Sequence, residues 1–221
     1  MKKVIINAVI FFGFLVPQLI QAQGTIYLSN LSLSSVGSLA IGSDSWYASL
    51  FETGSNSSGY LLNSIQLAMM DASGNPNDFD VMVYTVVGFS GAEPGSSLGA
   101  LDGSANPSTT GIYTYTDDSS IALSPNTQYF IVVTAGTSTA TGAYEWSHAG
   151  TYSYNPVGGW VTFANAFYSN NGSSWSSGSS GDLQFTINAS AIPEPSAWTL
   201  LLLGGGVFLY IRTRNIFPPI P

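Results

Sequence analysis

All four basic side chains of this 221-residue chain lie at its two ends. Lys2 and Lys3 precede one apolar run, and Arg212 and Arg214 follow another. The chain between them contains all twelve Asp and Glu residues. Apart from pairs with His148 or a new N-terminal amine, ion pairs are therefore excluded there. A fold built from this stretch must rely on apolar burial and hydrogen bonds.

The first apolar run predicts an export signal. The two lysines are followed by a mainly apolar stretch, residues 4–20, interrupted by Asn7, Gly13, Pro17 and Gln18, and Ala22 offers a small residue for cleavage. This is the tripartite pattern of a secretory signal peptide, here residues 1–22. A retained membrane helix is the alternative, but Pro17 and Gln18 shorten the run below the roughly 20 residues that span a bilayer.

The second apolar run predicts a short membrane helix at residues 197–211. Arg212 and Arg214 follow it, as expected for the cytoplasmic end of a membrane segment. Pro193 and Pro195 precede it and favour an extended backbone, because proline fixes its own φ and restricts the residue before it. This arrangement places the body of the chain outside the membrane.

The order of these parts resembles the PEP-CTERM sorting signal of Gram-negative and related bacteria, over residues 192–214. The resemblance implies processing by exosortase, a membrane-embedded cysteine transpeptidase found in genomes that produce exopolysaccharide. The tail 215–221 is a departure, because family members usually end soon after the basic cluster. An ordinary C-terminal anchor would give the same topology without proteolysis. The motif residues are Pro193, Glu194, Pro195, Arg212 and Arg214.

The body, residues 23–191, is long enough for one domain with a sizeable core. It contains no cysteine, which excludes disulfides and thiol chemistry. It also contains no Lys or Arg, which argues against nucleic acids as partners because binding phosphates relies on those side chains.

Short apolar stretches between turn-forming clusters predict an all-β fold, a single antiparallel β-sandwich of jelly-roll type. Residues 182–189 alternate between apolar and polar, whereas residues 79–87 and 129–134 are apolar on both faces, as in central strands. Residues 61–70 fit either a strand or a helix, and their neighbours favour the strand. Further strands are predicted at 46–51, 111–116, 144–147 and 160–168, and turns at 71–78, 93–97 and 124–127.

The body also resembles the bacterial choice-of-anchor ectodomains, diffusely over residues 45–190. That resemblance implies a β-rich fold and no site. It rests on five segments in order, namely Phe51-Glu-Thr-Gly-Ser, the strand 62–67, Val81-Met-Val-Tyr, Pro94-Gly-Ser-Ser-Leu and Leu123-Ser-Pro-Asn-Thr-Gln-Tyr-Phe-Ile-Val-Val.

Two ligand sites are hypotheses from the sequence. Asp71, Asn75, Asn77, Asp78 and Asp80 place hard oxygen ligands within ten residues, which suits calcium. The order of these residues differs from that of an EF-hand, and an acidic turn is the alternative.

The second hypothesis is a sugar-binding platform at Trp175, which lies alone in the polar loop 169–181. Trp146, Tyr152, Tyr154 and Trp160 lie nearby in sequence and could contribute. Core packing is the alternative for strand aromatics.

No catalytic residues are predicted. His148 is the only histidine, and the body offers only Glu52, Glu93 and Glu145 as glutamates for a glycosidase pair. We therefore expect a non-enzymatic, exported protein of the cell surface or extracellular matrix, associated with exopolysaccharide and biofilm. The alternatives are a carbohydrate-binding module and, behind it, a hydrolase.

Overall fold

The computed structural model describes residues 24–88, 92–103, 105–178 and 181–194. The regular elements in these ranges are β-strands, and every strand pair is antiparallel, which confirms the all-β prediction. None of the described segments forms a helix long and apolar enough to cross a membrane. The predicted signal peptide 1–22 and membrane helix 197–211 lie outside the described residues.

The strands are β1 (Thr25–Ser29), β2 (Ser35–Ile41), β3 (Trp46–Glu52), β4 (Tyr60–Gly74), β5 (Asp80–Val87), β6 (Glu93–Gly103), β7 (Gly111–Thr116), β8 (Ala122–Leu123), β9 (Gln128–Thr134), β10 (Gly142–Ala149), β11 (Val161–Ser169), β12 (Ser176–Gly178), β13 (Asp182–Leu183) and β14 (Phe185–Ala191).

The strands form one continuous sheet that curls into two layers. The first layer has the order β1–β14–β4–β7, with β10 beside the second half of β4, β2 and β13 beside β10, and β8 beside the start of β4. The second layer has the order β12–β11–β3–β9–β5–β6. Strand β6 joins the layers, because it pairs with β5 along most of its length and with β7 at Asp102 and Gly103.

Strand β4 confirms the strand interpretation of residues 61–70. Leu62 and Ile65 are both buried although they are three residues apart. A register shift opposite Asn188 and Ala189 explains this spacing, since a β-bulge changes which face a side chain occupies. The bulge shifts the alternation of buried and exposed side chains, and this shift made the sequence resemble a helix.

The main core lies between the layers. Alternate residues of β14 and β9 enter it from opposite sides, for example Phe185 and Ile187 from the first layer and Ile131 and Val133 from the second. The other face of β9, including Phe130, enters a second apolar cluster on the outside of the second layer. Strand β9 is therefore buried on both faces, as its sequence predicts.

Two predicted turns are partly or wholly strands. Residues 71–74 continue β4, because Ser73 and Gly74 pair with β10. Residues 93–97 begin β6, where Pro94 pairs with Val86 beside a register shift. This part of β6 is an edge, and an edge strand tolerates a residue without a backbone N–H. The turn predicted at 124–127 is confirmed, and Asn126 in it has φ 46°.

Candidate functional site

The loop of residues 150–160, between β10 and β11, carries the aromatic side chains of the candidate site. The backbone N–H of Asn155 donates to the Ser29 carbonyl at 3.0 Å. The backbone N–H of Val157 donates to the Tyr27 carbonyl at 2.9 Å. Among the described strands, β1 pairs only with β14, so the loop covers the free edge of the sheet.

The loop and the start of β11 border an open cleft of about 220 Å³. Tyr152 on its rim is 57% exposed, whereas Trp160 is 1% exposed. Ligand sites are typically concave and mostly apolar, with a few polar groups, and this cleft has that composition. The lining residues are Leu28, Tyr152, Tyr154, Pro156, Trp160, Val161 and Thr162.

Trp160 is fixed by three neighbouring rings. Its indole stacks on Tyr27 with ring centroids 4.8 Å apart, and on Phe51 at 5.8 Å. Tyr60 contacts it edge-on at 5.0 Å. These rings hold the indole rigidly, and its buried Nε1–H has no hydrogen-bond partner among the described residues.

Tyr154 connects the cleft to a buried carboxylate. Its hydroxyl donates to Asp182, which is 3% exposed, and also lies 3.2 Å from the Leu183 carbonyl. Burial raises the pKa of Asp182, although hydrogen bonds from Tyr154 and Asn30 act against that rise. Burial also raises the pKa of the Tyr154 hydroxyl, and the Asp182 carboxylate adds to that rise.

The Tyr154–Asp182 pair was not predicted from the sequence. The two residues are 28 positions apart, and neither lies in a motif that would have connected them. Asn30 binds the same carboxylate from a position 152 residues away, and it also donates to the Leu183 carbonyl at 2.9 Å. Only the tertiary fold brings these groups together.

Trp175 lies away from this cleft, in the second apolar cluster. It is 8% exposed and packs there with Phe130 and Phe167. Strand β12 follows it and pairs with β11, which holds the segment against the outside of the second layer. A sugar ring could reach a face of Trp175 only if this segment moved, and sugar binding at Trp175 stays a prediction.

The predicted calcium ligands have different hydrogen-bond partners in the structure. The Asp71 carboxylate accepts hydrogen bonds from the backbone N–H of Thr110 at 2.7 Å and from its hydroxyl at 2.9 Å, which lowers the Asp71 pKa. Asp78, with φ 52°, accepts from the Asn77 amide at 2.9 Å.

Asp80, at the start of β5, has an exposed side chain, but neighbouring atoms partly desolvate its carboxylate, which raises its pKa, and the Asp78 carboxylate adds to that rise. The described residues hold no group of three or more Asp, Glu, His or Cys suited to a metal ion. A calcium site that includes Asn75 stays a prediction.

The described residues include the first two residues of the predicted sorting motif, Pro193 and Glu194. Pro193 and Glu194 are exposed and follow the end of β14 after one residue, Ile192. The Glu194 carboxylate accepts a hydrogen bond from the Ser57 hydroxyl at 2.7 Å, and the Asn56 amide donates to the Ile192 carbonyl at 3.0 Å. Pro195, Arg212 and Arg214 lie outside the described residues.

Two of the glutamates that a glycosidase pair would need have hydrogen-bond partners within the fold. Glu52 accepts from the Gln128 amide at 3.1 Å, in the second layer. Glu145 accepts from the Ser38 hydroxyl at 2.7 Å, in the first layer. The Nδ1 atom of His148 is buried and has no hydrogen-bond partner among the described residues.

The positions of these side chains do not indicate a particular reaction. The function is therefore inferred from the geometry of the described residues. No family model, curated protein or solved structure matches this chain.

Proposed function

We propose that this chain is an exported, non-enzymatic protein of the cell surface or extracellular matrix that exosortase processes at its C-terminal motif. In this proposal the jelly-roll-like β-sandwich is the ectodomain, and the helix 197–211 holds it in the inner membrane before processing. Its proposed surroundings are an exopolysaccharide matrix. The exposure of Pro193 and Glu194, one residue beyond the end of β14, is the observation that carries the proposal.

The position of the motif suits a processing enzyme. A protease or transpeptidase must bind an extended segment, and Pro193 cannot continue the ladder of a strand because it has no N–H. The last strand ends at Ala191, so cleavage beyond Glu194 would leave every described strand intact. The folded domain and the cleavable segment are therefore separate along the chain.

Glu194 also has a specific position before processing. The Ser57 hydroxyl and, at 3.3 Å, the Ser57 backbone N–H donate to the same carboxylate oxygen. These bonds are at the surface, where water competes for them and each contributes about 1 kcal/mol or less. The motif can thus leave the domain surface at little cost and enter an enzyme groove.

The proposal is tested by intact mass spectrometry of the exported protein from cells with and without exosortase. With the enzyme, the mature mass should lack everything after about Pro195. Without it, Arg214 and Pro221 should still be attached. Glu194→Gln should reduce the processed fraction at least several-fold.

The matched control is Glu93→Gln, because Glu93 is also an exposed glutamate followed by proline but lies in β6. This variant should be processed like the wild type. A full-length mass in the presence of exosortase would show that the proposal is wrong.

A further inference from the structure

We propose that the cleft beside the 150–160 loop binds an uncharged sugar unit of a polysaccharide, with Tyr152 as the stacking ring. The proposal goes beyond the proposed sorting, because the cleft could bind a sugar whether or not Glu194 is recognised. It also moves sugar binding away from Trp175.

The first argument is the exposure of apolar side chains around the cleft. Tyr152 and Val161, which line the cleft, are 57% and 46% exposed, and Val157 in the adjoining loop is 48% exposed. An exposed cluster of this kind, next to a concave surface, indicates a contact site more than scattered single residues do. A sugar ring presents polarised C–H groups that fit the negative face of an aromatic ring.

The second argument is the set of polar groups in the cleft. The Tyr154 hydroxyl donates its proton to the Asp182 carboxylate and also interacts with the Thr162 side chain, which leaves its oxygen one lone pair that can accept from a ligand hydroxyl. The Thr162 hydroxyl donates to the Leu50 carbonyl at 3.0 Å and likewise retains accepting capacity. Both oxygens suit the hydroxyl groups of a sugar.

The third argument is the fixed indole of Trp160 in the lining of the cleft. This residue lines the cleft and is 1% exposed, and its Nε1–H is a buried donor without a partner among the described residues. The Nε1 atom has almost no accessible surface, so a ligand oxygen would reach it only if the surrounding rings moved. Trp160 therefore contributes a fixed apolar ring to the lining of the cleft, held by Tyr27, Phe51 and Tyr60.

Charge selects among sugars. The body has no Lys or Arg, and Asp182 lies behind Tyr154. Carboxylated, sulfated or phosphorylated sugars would find no cationic partner and would be repelled by the acidic surface. The ligand is therefore expected to be neutral.

Affinity electrophoresis of the exported protein tests this proposal. The gels contain dextran, mannan or galactan as neutral probes, and dextran sulfate as the charged counterpart of dextran. At least one neutral polysaccharide should slow the wild-type protein, and dextran sulfate should not. Tyr152→Ala should weaken binding about tenfold, whereas Tyr152→Phe retains the ring and should stay within about threefold.

Tyr168→Ala is the matched control, since Tyr168 is 46% exposed and lines a separate cleft beside the Trp175 segment. It should bind like the wild type. The proposal is overturned if no neutral polysaccharide slows the protein, if dextran sulfate is bound equally well, or if Tyr168→Ala loses as much binding as Tyr152→Ala. Melting curves of each variant identify any loss of folding, and intact masses report processing separately.

Discussion

At the scale of single residues, buried polar groups take the place of ion pairs. Asn30 accepts from the Phe185 backbone N–H at 2.8 Å and donates to the Leu183 carbonyl. Gln184 accepts from the Ser147 hydroxyl at 2.6 Å and donates to the Leu33 carbonyl at 2.8 Å. These bonds satisfy buried groups that would otherwise cost about 1–3 kcal/mol each. Neutral amides and hydroxyls thus link β13 and β14 to the chain around β1.

Asp182 is the exception among these buried groups, because it is a carboxylate. Its burial predicts that the stability depends on pH. Burial raises its pKa above the ordinary value of 3.8. The folded state therefore binds this proton more tightly than the unfolded chain does. The stability gained is fully present below pH 3.8 and is lost as the pH rises through the folded-state pKa. Asp182→Asn should therefore flatten the fall in unfolding free energy above pH 3.8, measured in urea melts.

Asp71→Asn is the comparison of opposite sign. Thr110 lowers the Asp71 pKa, so that carboxylate contributes stability that is lost on acidification. If Asp182→Asn leaves the pH profile unchanged, or changes it in the same direction as Asp71→Asn, the argument from burial is wrong.

At the scale of elements, the second layer is covered on both faces. Its inner face enters the main core, and its outer face is covered partly by the segment 169–178. The Ser169 hydroxyl accepts from the Gly172 backbone N–H at 2.9 Å, where Gly172 has φ 71°. This turn brings Trp175 back onto the sheet. A polar, glycine-rich segment thus buries one of the largest side chains in the chain.

Replacement of Trp175 tests this structural role. Trp175→Ala should lower the unfolding free energy by about 3 kcal/mol, because it leaves a cavity over Phe130 and Phe167. Trp175→Phe should cost less, since the indole Nε1 makes no hydrogen bond among the described residues. Tyr168→Ala, at an exposed position on the neighbouring strand, should stay within about 0.5 kcal/mol. Equal effects of Trp175→Ala and Tyr168→Ala would contradict the packing.

At the scale of the whole molecule, the body of the chain carries acidic side chains without basic ones. Between residues 23 and 191 the chain has eleven carboxylates and no Lys or Arg. Asp78 and Asp80 show the consequence locally, since the Asp80 pKa is raised first by partial desolvation of its carboxylate and then by the neighbouring Asp78 charge. Such repulsion weakens the compact state and keeps molecules apart in solution.

Added salt should therefore stabilise the protein. Sodium chloride screens repulsion between exposed charges, since the screening length falls from about 10 Å at 0.1 M to about 3 Å at 1 M. Urea melts at pH 7.5, with a chelator present, should show a higher unfolding free energy in high salt. An unchanged or lower value would mean that repulsion does not limit the stability of this fold.

Much of the fold could be predicted from the sequence. The alternation of residues 182–189 predicted which side chains of β14 enter the core, and the apolar run 129–134 predicted a strand buried on both faces. These patterns are local, because neighbouring side chains of a strand point to opposite faces. The sequence also determined the absence of internal Lys and Arg, and hence a stability based on apolar burial.

The tertiary structure alone decided which predicted residues meet. It brought Tyr152, Tyr154 and Trp160 to one cleft and placed Trp175 in a separate cluster. It also made residues 71–74 part of a strand, because β10 supplies partners for their backbone groups. The physical reason is that burial and pairing depend on contacts between residues far apart in sequence. Local composition, which made Trp175 appear exposed, does not contain that information.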